Sequence, residues 1–388
     1  MTEASPSLVA LLGGAFAAAA LLALLLTPVV RRFAHGLGVV DRPNARRVNT
    51  RPIPRGGGLA VAAAYVVVAL GSLLVAVQAG ALRDDALRAN GVVALIAGAA
   101  LAALLGTVDD WLDLRARWQL AGQLVLAGLA VALGISVGAL ANPFAPGVIR
   151  LDPVFGAAFT AVWILGMINS INFIDGLDGL SSGVALIAAV TLGIISLTAA
   201  IDQPGIALLC FVFAGALLGF LRWNFHPATI FVGTSGVMVI GYTLAILSIL
   251  GTAKVAVALL VLGVPIIDAF WIIVRRIASG RSPFSPDRGH IHHRLLDLGL
   301  SHTQTVLLIY GLCACLAVLS LVLSGSGQLY AFLGVFVLSG LALLVVARSS
   351  GGGIGEPVDE DEAGDGIGNG ARTARPAGEH GDGVRPAR

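Results

Sequence analysis

The sequence predicts an all-α, polytopic integral membrane protein with about eleven transmembrane helices. Of its 388 residues, 57% are hydrophobic and 12% are charged. Soluble domains carry about 25% charged residues, so the composition excludes a water-soluble fold. Its apolar runs are long enough to cross a bilayer, because about 20 helical residues span the hydrocarbon core. Its basic residues also cluster in alternate loops, as they do in multi-pass membrane proteins.

Eleven apolar segments support this fold class. They fall at 8–30, 57–79, 91–107, 118–138, 155–171, 181–200, 205–221, 235–250, 254–274, 304–324 and 328–347. No basic region precedes the first segment, so we interpret it as a retained helix and not as a cleaved signal peptide. We expect one transmembrane domain over residues 1–348. Residues 349–388 are mostly Gly, Asp, Glu, Arg and Pro, a composition that predicts a disordered tail.

The distribution of basic residues predicts the orientation of these helices. The loops expected on one face hold 15 of the 24 Lys and Arg residues, the loops on the other face hold four, and the tail holds five. Because short cytoplasmic loops carry the excess of Lys and Arg, we expect the N-terminus outside, the C-terminus in the cytoplasm and the protein in the plasma membrane. The unusual polar residues also fall in the cytoplasmic loops, which predicts an active site at that face.

Three carboxylates, Asp109, Asp110 and Asp113, directly follow the apolar run 91–105. Acids so close to lipid are costly and mark functional sites. A helix cap could explain one acid but not three, and acids at a helix C-terminus oppose the macrodipole. We therefore expect Asp109 and Asp110 to belong to a functional site.

A second acidic pair, Asp175 and Asp178, follows Asn172 in a glycine-interrupted turn. Residues three apart share one face of a helical turn, so the pair is expected to act together. Asp178 could instead cap the next helix. Carboxylates gathered at one membrane face suit Mg²⁺ and phosphate chemistry.

Two loops add positive charge to the same face. The first, 31–56, is rich in arginine and proline, and Arg46 is a candidate for phosphate binding. The positive-inside rule alone could also account for this loop. The second, 275–303, contains a His/Arg cluster suited to an anionic diphosphate, with a zinc site or a solvated loop as alternatives. That cluster comprises His290, His292, His293 and Arg294.

Two further polar residues have open interpretations. Asp268 precedes the cytoplasmic end of the ninth segment, where packing against an arginine and a direct role are equally compatible with the sequence. His226 follows an aromatic run and is interpreted preferentially as part of an interfacial aromatic cluster.

Four motifs together resemble a known family. They are DRPNAR at 41–46, DDWLD at 109–113, NSINFIDGLDGL at 169–180 and HIHHRL at 290–295. In this order they resemble the polyprenyl-phosphate N-acetylhexosamine-1-phosphate transferases of the WecA/MraY type, and specifically the WecA-like branch. The resemblance covers about residues 8–347.

The resemblance implies transfer of a sugar 1-phosphate, with N-acetylglucosamine 1-phosphate favoured, from a UDP-sugar to polyprenyl phosphate. The products would be UMP and a polyprenyl-diphosphate-sugar that begins a cell-envelope glycan. It implies a Mg²⁺ cofactor, with Mn²⁺ as the alternative, and leaves a homodimer open; no nucleic-acid partner is expected. The implied catalytic residues are Asp109, Asp110, Asp175 and Asp178, and the implied metal ligands are Asp109, Asp110 and Asp178. The implied substrate-binding residues are Arg46, Asn172, His290, His292, His293 and Arg294.

The chain departs from the family pattern at two places. Thr234 stands where a Gly-Asp-x-Gly-Ser turn has its aspartate, and Asn49 stands where a histidine is usual. A neutral hydroxyl is a poorer Mg²⁺ ligand than a carboxylate. The alternative function is therefore a catalytically impaired protein of the same fold that binds lipid phosphate or a nucleotide-sugar. A transporter is disfavoured, because the apolar runs largely lack the mid-membrane polar residues that it would need.

Overall fold

The computed structural model describes residues 6–41, 52–78, 80, 89–142, 144, 147–250, 254–278, 280, 290–323 and 326–349. Arg46, Asn49 and most of the expected tail lie outside these ranges, so their predicted roles are untested. The chain divides into a unit from Met1 to Gly340 and a second unit from Leu341 to Arg388. The whole candidate site lies in the first unit. The boundary that the sequence places at residue 348 stays a prediction.

The described chain is predominantly helical, which confirms the predicted fold class. The helices are α1 Pro6–Gly36, α2 Gly58–Gln78, α3 Ala89–Leu112, α4 Ala116–Ala132, α5 Pro153–Ile174, α6 Leu180–Ser196, α7 Pro204–Asn224, α8 Gly233–Leu250, α9 Lys254–Val261, α10 Gly263–Ala278, α11 Ile291–Asp297, α12 His302–Val322 and α13 Ser326–Ser349. Two short antiparallel hairpins join β1 Val40–Asp41 to β2 Ile53–Pro54 and β3 Ala139–Ala141 to β4 Val148–Arg150.

The predicted number of membrane spans is not confirmed. All eleven apolar segments are helical over most of their length, but seven of the described helices are long and apolar enough to cross a bilayer. The count becomes eight if α9 and α10, which meet at 77°, form one broken span. Helices α4 and α6 have 17 residues each. At 1.5 Å per residue they reach about 26 Å, short of a hydrocarbon core of about 30 Å.

Helices α7 and α8 form the centre of the first unit, and most of the residues in their apolar windows are buried. Helix α7 packs against α1, α2 and α6. The contact with α1 is very close, because a Cβ added at Gly219 would lie 2.0 Å from the Ala20 carbonyl oxygen. Small residues allow such backbone approach between membrane helices. At the end of this contact, Trp223 Nε1 donates to the Leu24 carbonyl at 3.0 Å.

Helix α8 packs against α3 and α5, and buried polar side chains join the three helices. Tyr242 Oη donates to the Ala94 carbonyl of α3 at 2.8 Å. Trp163 Nε1 of α5 donates to Ser248 Oγ at 2.9 Å. Hydrogen bonds of this kind stabilise contacts between membrane helices, where the hydrophobic effect contributes little. At the other end of the α3–α8 contact, a Cβ added at Gly106 would lie 2.3 Å from Ser235 Cα, so the C-terminal end of α3, which carries Asp110, lies against the first turn of α8.

The β1–β2 hairpin connects the arginine-rich loop to the same region. Asp41 pairs with Ile53 across the hairpin, and the Arg55 side chain donates to the Asp41 carboxylate. The chain then runs beside the segment that precedes α8, since Phe231 N donates to the Pro54 carbonyl at 2.9 Å and Gly57 N donates to the Phe231 carbonyl at 2.9 Å. The two ends of loop 42–51 are therefore held at the start of α8.

Candidate active site

A cleft of about 930 Å³ opens where several helix ends meet. Its walls come from the β1–β2 hairpin, the α5–α6 turn, the segment between α7 and α8, and the beginning of α12. Ligand pockets in proteins are typically about 300–1,000 Å³, so the space accommodates a molecule of nucleotide-sugar size. Asp110, Asn172, Asp175, Asp178 and His293 all line it.

Asp110 contributes its carboxylate to the first turn of α8. It accepts hydrogen bonds from Thr234 N at 2.7 Å and from Ser235 N at 3.0 Å. Gly233, with φ of 71°, permits this contact, because a Cβ there would lie 2.6 Å from Asp110 Oδ2. The unpaired N–H groups of a helix N-terminus attract anions. Asp110 is therefore both a cleft residue and the cap of α8.

Asp109 has different surroundings from its neighbour. Both of its carboxylate oxygens accept from Gln119 Nε2, at 3.1 and 3.0 Å. It is buried and is not among the described residues that line the cleft. The two adjacent acids, which the sequence treats as equivalent, thus point to different partners.

The α5–α6 turn carries the second acidic pair. Asp175 accepts a hydrogen bond from Ser181 Oγ, and burial raises the pKa of its carboxyl to about 7, with the nearby charges of Asp110 and Asp178 adding to the increase. Asp178 Oδ2 lies 2.8 Å from His226 Nδ1 and accepts from Ala228 N at 3.0 Å. Asp178 therefore bonds to the segment after α7 and does not simply cap α6.

The histidine motif is divided between the cleft and the interior. His293 lines the cleft, whereas His290 Nδ1 lies 2.8 Å from Asp268 Oδ2. The same Asp268 accepts from Ile291 N at 2.9 Å through its other oxygen. Asp268 thus holds the beginning of α11, a contact that the sequence interpretation of packing against an arginine did not foresee.

His292 lies behind the wall of the cleft. Its side chain is 1% exposed and packs against Gly176, where an added Cβ would lie 2.2 Å from Nε2. Burial lowers the pKa of His292 to about 3, with the neighbouring His293 and His290 adding to the decrease. A neutral, enclosed imidazole does not contact a diphosphate in this conformation. Arg294, on α11, is likewise not among the described residues that line the cleft.

The cleft also contains residues that the sequence did not assign to a site. His226, which was interpreted preferentially as an interfacial aromatic, hydrogen-bonds to Asp178, and His302 stacks on His226. Arg55 and Asp41 also line the cleft. A useful signal would have been that His226 and His302 lie at helix ends on the face that carries the acidic motifs, and that Asp41 and Arg55 flank the arginine-rich loop on the same face.

Comparison with known proteins agrees with the motifs. Residues 92–252 match glycosyl transferase family 4. The probable undecaprenyl-phosphate N-acetylglucosaminyl 1-phosphate transferase of Bacillus subtilis is 34% identical over 87% of this chain and 91% of its own length. The decaprenyl-phosphate N-acetylglucosaminephosphotransferase of Mycobacterium tuberculosis is 34% identical over 84% of this chain and 87% of its own. This chain belongs to glycosyl transferase family 4.

The part of the chain that matches glycosyl transferase family 4 contains both acidic motifs and Thr234. The undecaprenyl-phosphate alpha-N-acetylglucosaminyl 1-phosphate transferase of Yersinia pestis is a more distant relative, 29% identical over 81% of this chain and 84% of its own. The three relatives align with 81–87% of this chain, well beyond residues 92–252. The resemblance inferred from the four motifs is therefore confirmed at the level of the family.

The cleft's donor atoms are compatible with the divalent metal expected for this family. Asp110, Asp175 and Asp178 contribute carboxylates, Asn172 contributes an amide and Thr234 a hydroxyl. Hard oxygen ligands of this kind are the ones that Mg²⁺ prefers. The raised pKa of Asp175 reflects both burial and carboxylate repulsion, and nearby positive charge favours the ionised form of a carboxyl group.

Proposed function

We propose that this protein transfers N-acetylglucosamine 1-phosphate from UDP-N-acetylglucosamine to polyprenyl phosphate. The products are polyprenyl-diphosphate-N-acetylglucosamine and UMP, and the lipid product begins a cell-envelope glycan. The single observation that supports this most strongly is the cleft in which Asp110, Asp175 and Asp178 meet, in a chain 34% identical over most of its length to proteins named for this reaction.

The reaction requires two anionic phosphates to approach each other. An oxygen of the lipid phosphate forms a bond to the sugar-linked phosphorus, and the bond from that phosphorus to the bridging oxygen of UMP breaks. Positioning and charge neutralisation supply most of the rate in such transfers. Arg55 and His293 line the cleft beside the acids and can contact phosphate oxygens.

Mg²⁺, held by Asp110 and Asp178 with Asn172 or Thr234 nearby, would neutralise phosphate charge when bound. Asp175 has a separate role in the proposal. A carboxyl with a pKa of about 7 is suited to accept a proton near neutral pH. We assign Asp175 the uptake of the proton from the lipid phosphate before it attacks.

The proposed site lies at the cytoplasmic face of the plasma membrane, where both a UDP-sugar and a lipid head group can reach it. The segregation of basic residues supports this orientation. The cleft lies at the ends of the apolar helices and not halfway along them. A reaction between a soluble nucleotide and a lipid head group requires this position.

The proposal is tested by measuring UMP release from the purified full-length protein in detergent. The assay contains UDP-N-acetylglucosamine and undecaprenyl or decaprenyl phosphate, with Mg²⁺ or with a chelator. We expect UMP release that requires both the lipid phosphate and the metal. Parallel assays with UDP-N-acetylgalactosamine and with Mn²⁺ would define the sugar and the alternative cofactor.

Variants make this test specific to the cleft. Asp175→Asn is expected to reduce the rate by about 100-fold or more, as loss of a catalytic proton acceptor does. Asp297→Asn is the matched control, because Asp297 is exposed at the end of α11 and does not line the cleft. Saturable UDP-sugar binding without any UMP release, beside an active relative, would instead favour the binding-only alternative.

A further inference from the structure

Three side chains that can act as metal ligands lie together at the cleft although they are distant in the sequence. Asp178 lies in the α5–α6 turn, His226 follows α7, and His302 begins α12. One potential ligand atom from each lies within 4.8 Å of the other two. This is a different group of residues from the oxygen donors considered for Mg²⁺, and it shares only Asp178 with them.

We propose that Asp178, His226 and His302 form a binding site for a divalent transition-metal ion of the Zn²⁺ class. We further propose that an ion bound there inhibits the transferase by removing Asp178 from the magnesium and substrate site. The inhibition rests on the proposed function, whereas the binding does not.

The geometry within the cluster favours metal binding. His226 Nδ1 and Asp178 Oδ2 are 2.8 Å apart, and the rings of His226 and His302 stack with centroids 4.2 Å apart and an interplanar angle of 20°. Ligands of tetrahedral zinc lie about 3.4 Å from one another, given bonds of about 2.0–2.1 Å. All three ligand atoms already lie within 4.8 Å of one another, so a contraction of at most about 1.4 Å brings them to this spacing.

The hydrogen bonding of His302 supports the same conclusion. Both of its ring nitrogens are buried and neither makes a hydrogen bond of good geometry among the described residues, although the Asp178 backbone lies beside the ring. Buried polar atoms usually have a partner, and an exception requires an explanation such as a missing ion. A metal ion in the cluster would bind one of these nitrogens.

The ligand types define the chemical class of the ion. Two imidazoles and one carboxylate suit Zn²⁺, Co²⁺ and Ni²⁺. Mg²⁺ prefers oxygen ligands in octahedral geometry and is a poor match. The cleft beside His226 leaves room for a water molecule or a substrate oxygen as a fourth ligand.

Further contacts hold Asp178 and the helix that carries His302 in place. Ala228 N donates to Asp178 Oδ2 at 3.0 Å, which fixes the orientation of the carboxylate. Tyr310, on the helix that His302 begins, donates through Oη to the Gly179 carbonyl. That bond ties α12 to the turn that carries Asp178. Such outer contacts commonly raise metal affinity by about 10–100-fold.

The binding test uses Co²⁺ as a spectroscopic probe on untagged full-length protein in detergent, after treatment with a chelator. We expect one Co²⁺ per chain, with the visible absorption typical of tetrahedral nitrogen and oxygen coordination, and displacement of that signal by Zn²⁺. His226→Ala and His302→Ala should each weaken Co²⁺ binding by at least about 10-fold. His226 is exposed, so its variant tests the site even if the His302 variant misfolds.

Two control variants separate this site from other histidines. His35→Ala removes an exposed histidine at the end of α1 and should leave Co²⁺ binding unchanged. His293→Ala tests the histidine motif. The proposal is overturned if no Co²⁺ binds, or if binding is lost in His293→Ala but persists in both His226→Ala and His302→Ala.

The inhibition is measured separately, as UMP release in saturating Mg²⁺ with increasing Zn²⁺. We expect inhibition that a chelator reverses when Mg²⁺ is kept in excess. Binding of Co²⁺ by the cluster without any UMP release under any condition would refute the proposed function and leave the metal site intact. UMP release that is insensitive to Zn²⁺ at concentrations that fill the site would overturn the inhibitory role.

Discussion

At the scale of single residues, the site depends on carboxylates whose surroundings differ although their sequence positions look alike. Asp109 bonds to Gln119, whereas Asp110 caps α8 and lines the cleft. Asp175 and Asp178 likewise differ, since one bonds to Ser181 and the other to His226 and Ala228. A substitution at each of these residues is therefore expected to have a different effect.

Asp110→Asn should lower both activity and stability. Asparagine keeps one acceptor oxygen but turns an NH₂ group toward Thr234 N or Ser235 N, which are both donors. A buried amide that loses its acceptor costs about 1–3 kcal/mol. We expect UMP release to fall by about 100-fold or more and the melting temperature in detergent to decrease, with Asp297→Asn as the unaffected control. An active variant with normal Tm would contradict the assigned role.

Thr234→Asp should reduce the Mg²⁺ concentration needed for half-maximal UMP release. Thr234 lines the cleft in the first turn of α8, where a negative charge is favoured by the helix dipole. The carboxylate would add a hard ligand beside Asp110. Thr234→Asn is the matched control, because it has a similar shape without the charge. An equal response in both variants, or in neither, would count against a role for Thr234 in metal use.

His292 should make the protein less stable at acidic pH. Its pKa in the folded protein is about 3, below the ordinary value of 6.5, because burial opposes the charged form. Above pH 6.5 His292 is neutral in both the folded and the unfolded protein, and its contribution to stability is complete. As the pH falls from 6.5 toward 3, the unfolded protein binds a proton that the folded protein does not, so the free energy of unfolding decreases by up to about 1.4 kcal/mol per pH unit.

The measurement is the melting temperature in detergent between pH 7.5 and pH 5, for wild type and His292→Leu. Leucine fills similar volume and does not titrate. We expect the decrease in Tm on acidification to be smaller in the variant. An identical pH dependence in both proteins would show that His292 is not responsible.

At the scale of elements, the β1–β2 hairpin fixes the ends of the arginine-rich loop at the start of α8. Asp41 is 3% exposed and its side chain bonds to Arg55, which also lies 3.7 Å from Asp113. Removing one partner of a buried ion pair leaves the other uncompensated, which is strongly destabilising. The hairpin is thus the element that determines where loop 42–51 begins and ends.

Asp41→Asn should loosen this loop. Residues 42–51 contain four arginines, so trypsin can cleave there. We expect trypsin to cleave this loop several times faster in the variant, with the cleavage sites identified by mass spectrometry of the fragments. We also expect the KM for the UDP-sugar to rise. Asp152→Asn, which alters an exposed cap of α5, is the control. Unchanged cleavage would mean that the ion pair does not hold the loop.

At the scale of the whole molecule, the proposed reaction requires that the helix ends around the cleft face the cytoplasm. The sequence predicts an external N-terminus and a cytoplasmic C-terminus, with the cleft inside. Two exposed positions can test this, since Phe144 between β3 and β4 is 93% exposed and the Asp113 side chain is 95% exposed. They belong to loops that the charge distribution places on opposite faces.

A membrane-impermeant maleimide should label Phe144→Cys in intact cells but label Asp113→Cys only after the cells are opened. The natural cysteines Cys210, Cys313 and Cys315 lie in apolar helices, and Cys315 is exposed, so the wild-type protein is labelled in parallel to give the background. The reverse pattern would invert the orientation and move the cleft outside. Labelling of both positions in intact cells would refute the assignment of the two loops to opposite faces.

Much of the fold could be predicted because it follows from local composition. Apolar runs imply helices regardless of their neighbours, since lipid offers no partner for an unpaired backbone group. The number of spans could not be read in the same way. Helices α4 and α6 end after 17 residues, and α9 meets α10 at 77°. A hydropathy pattern does not record where a helix ends or bends within an apolar run.

The sequence by itself determined the membrane class, the family and the acidic motifs, because each depends on residue types at short spacing. Only the tertiary structure separated Asp110 from Asp109, buried His292 behind Gly176, and brought His226 and His302 to Asp178. The reason is physical. Spacing along one helix specifies which residues share a face, but the direction of a carboxylate or an imidazole is decided by hydrogen-bond donors and close contacts from helices that are remote in the chain.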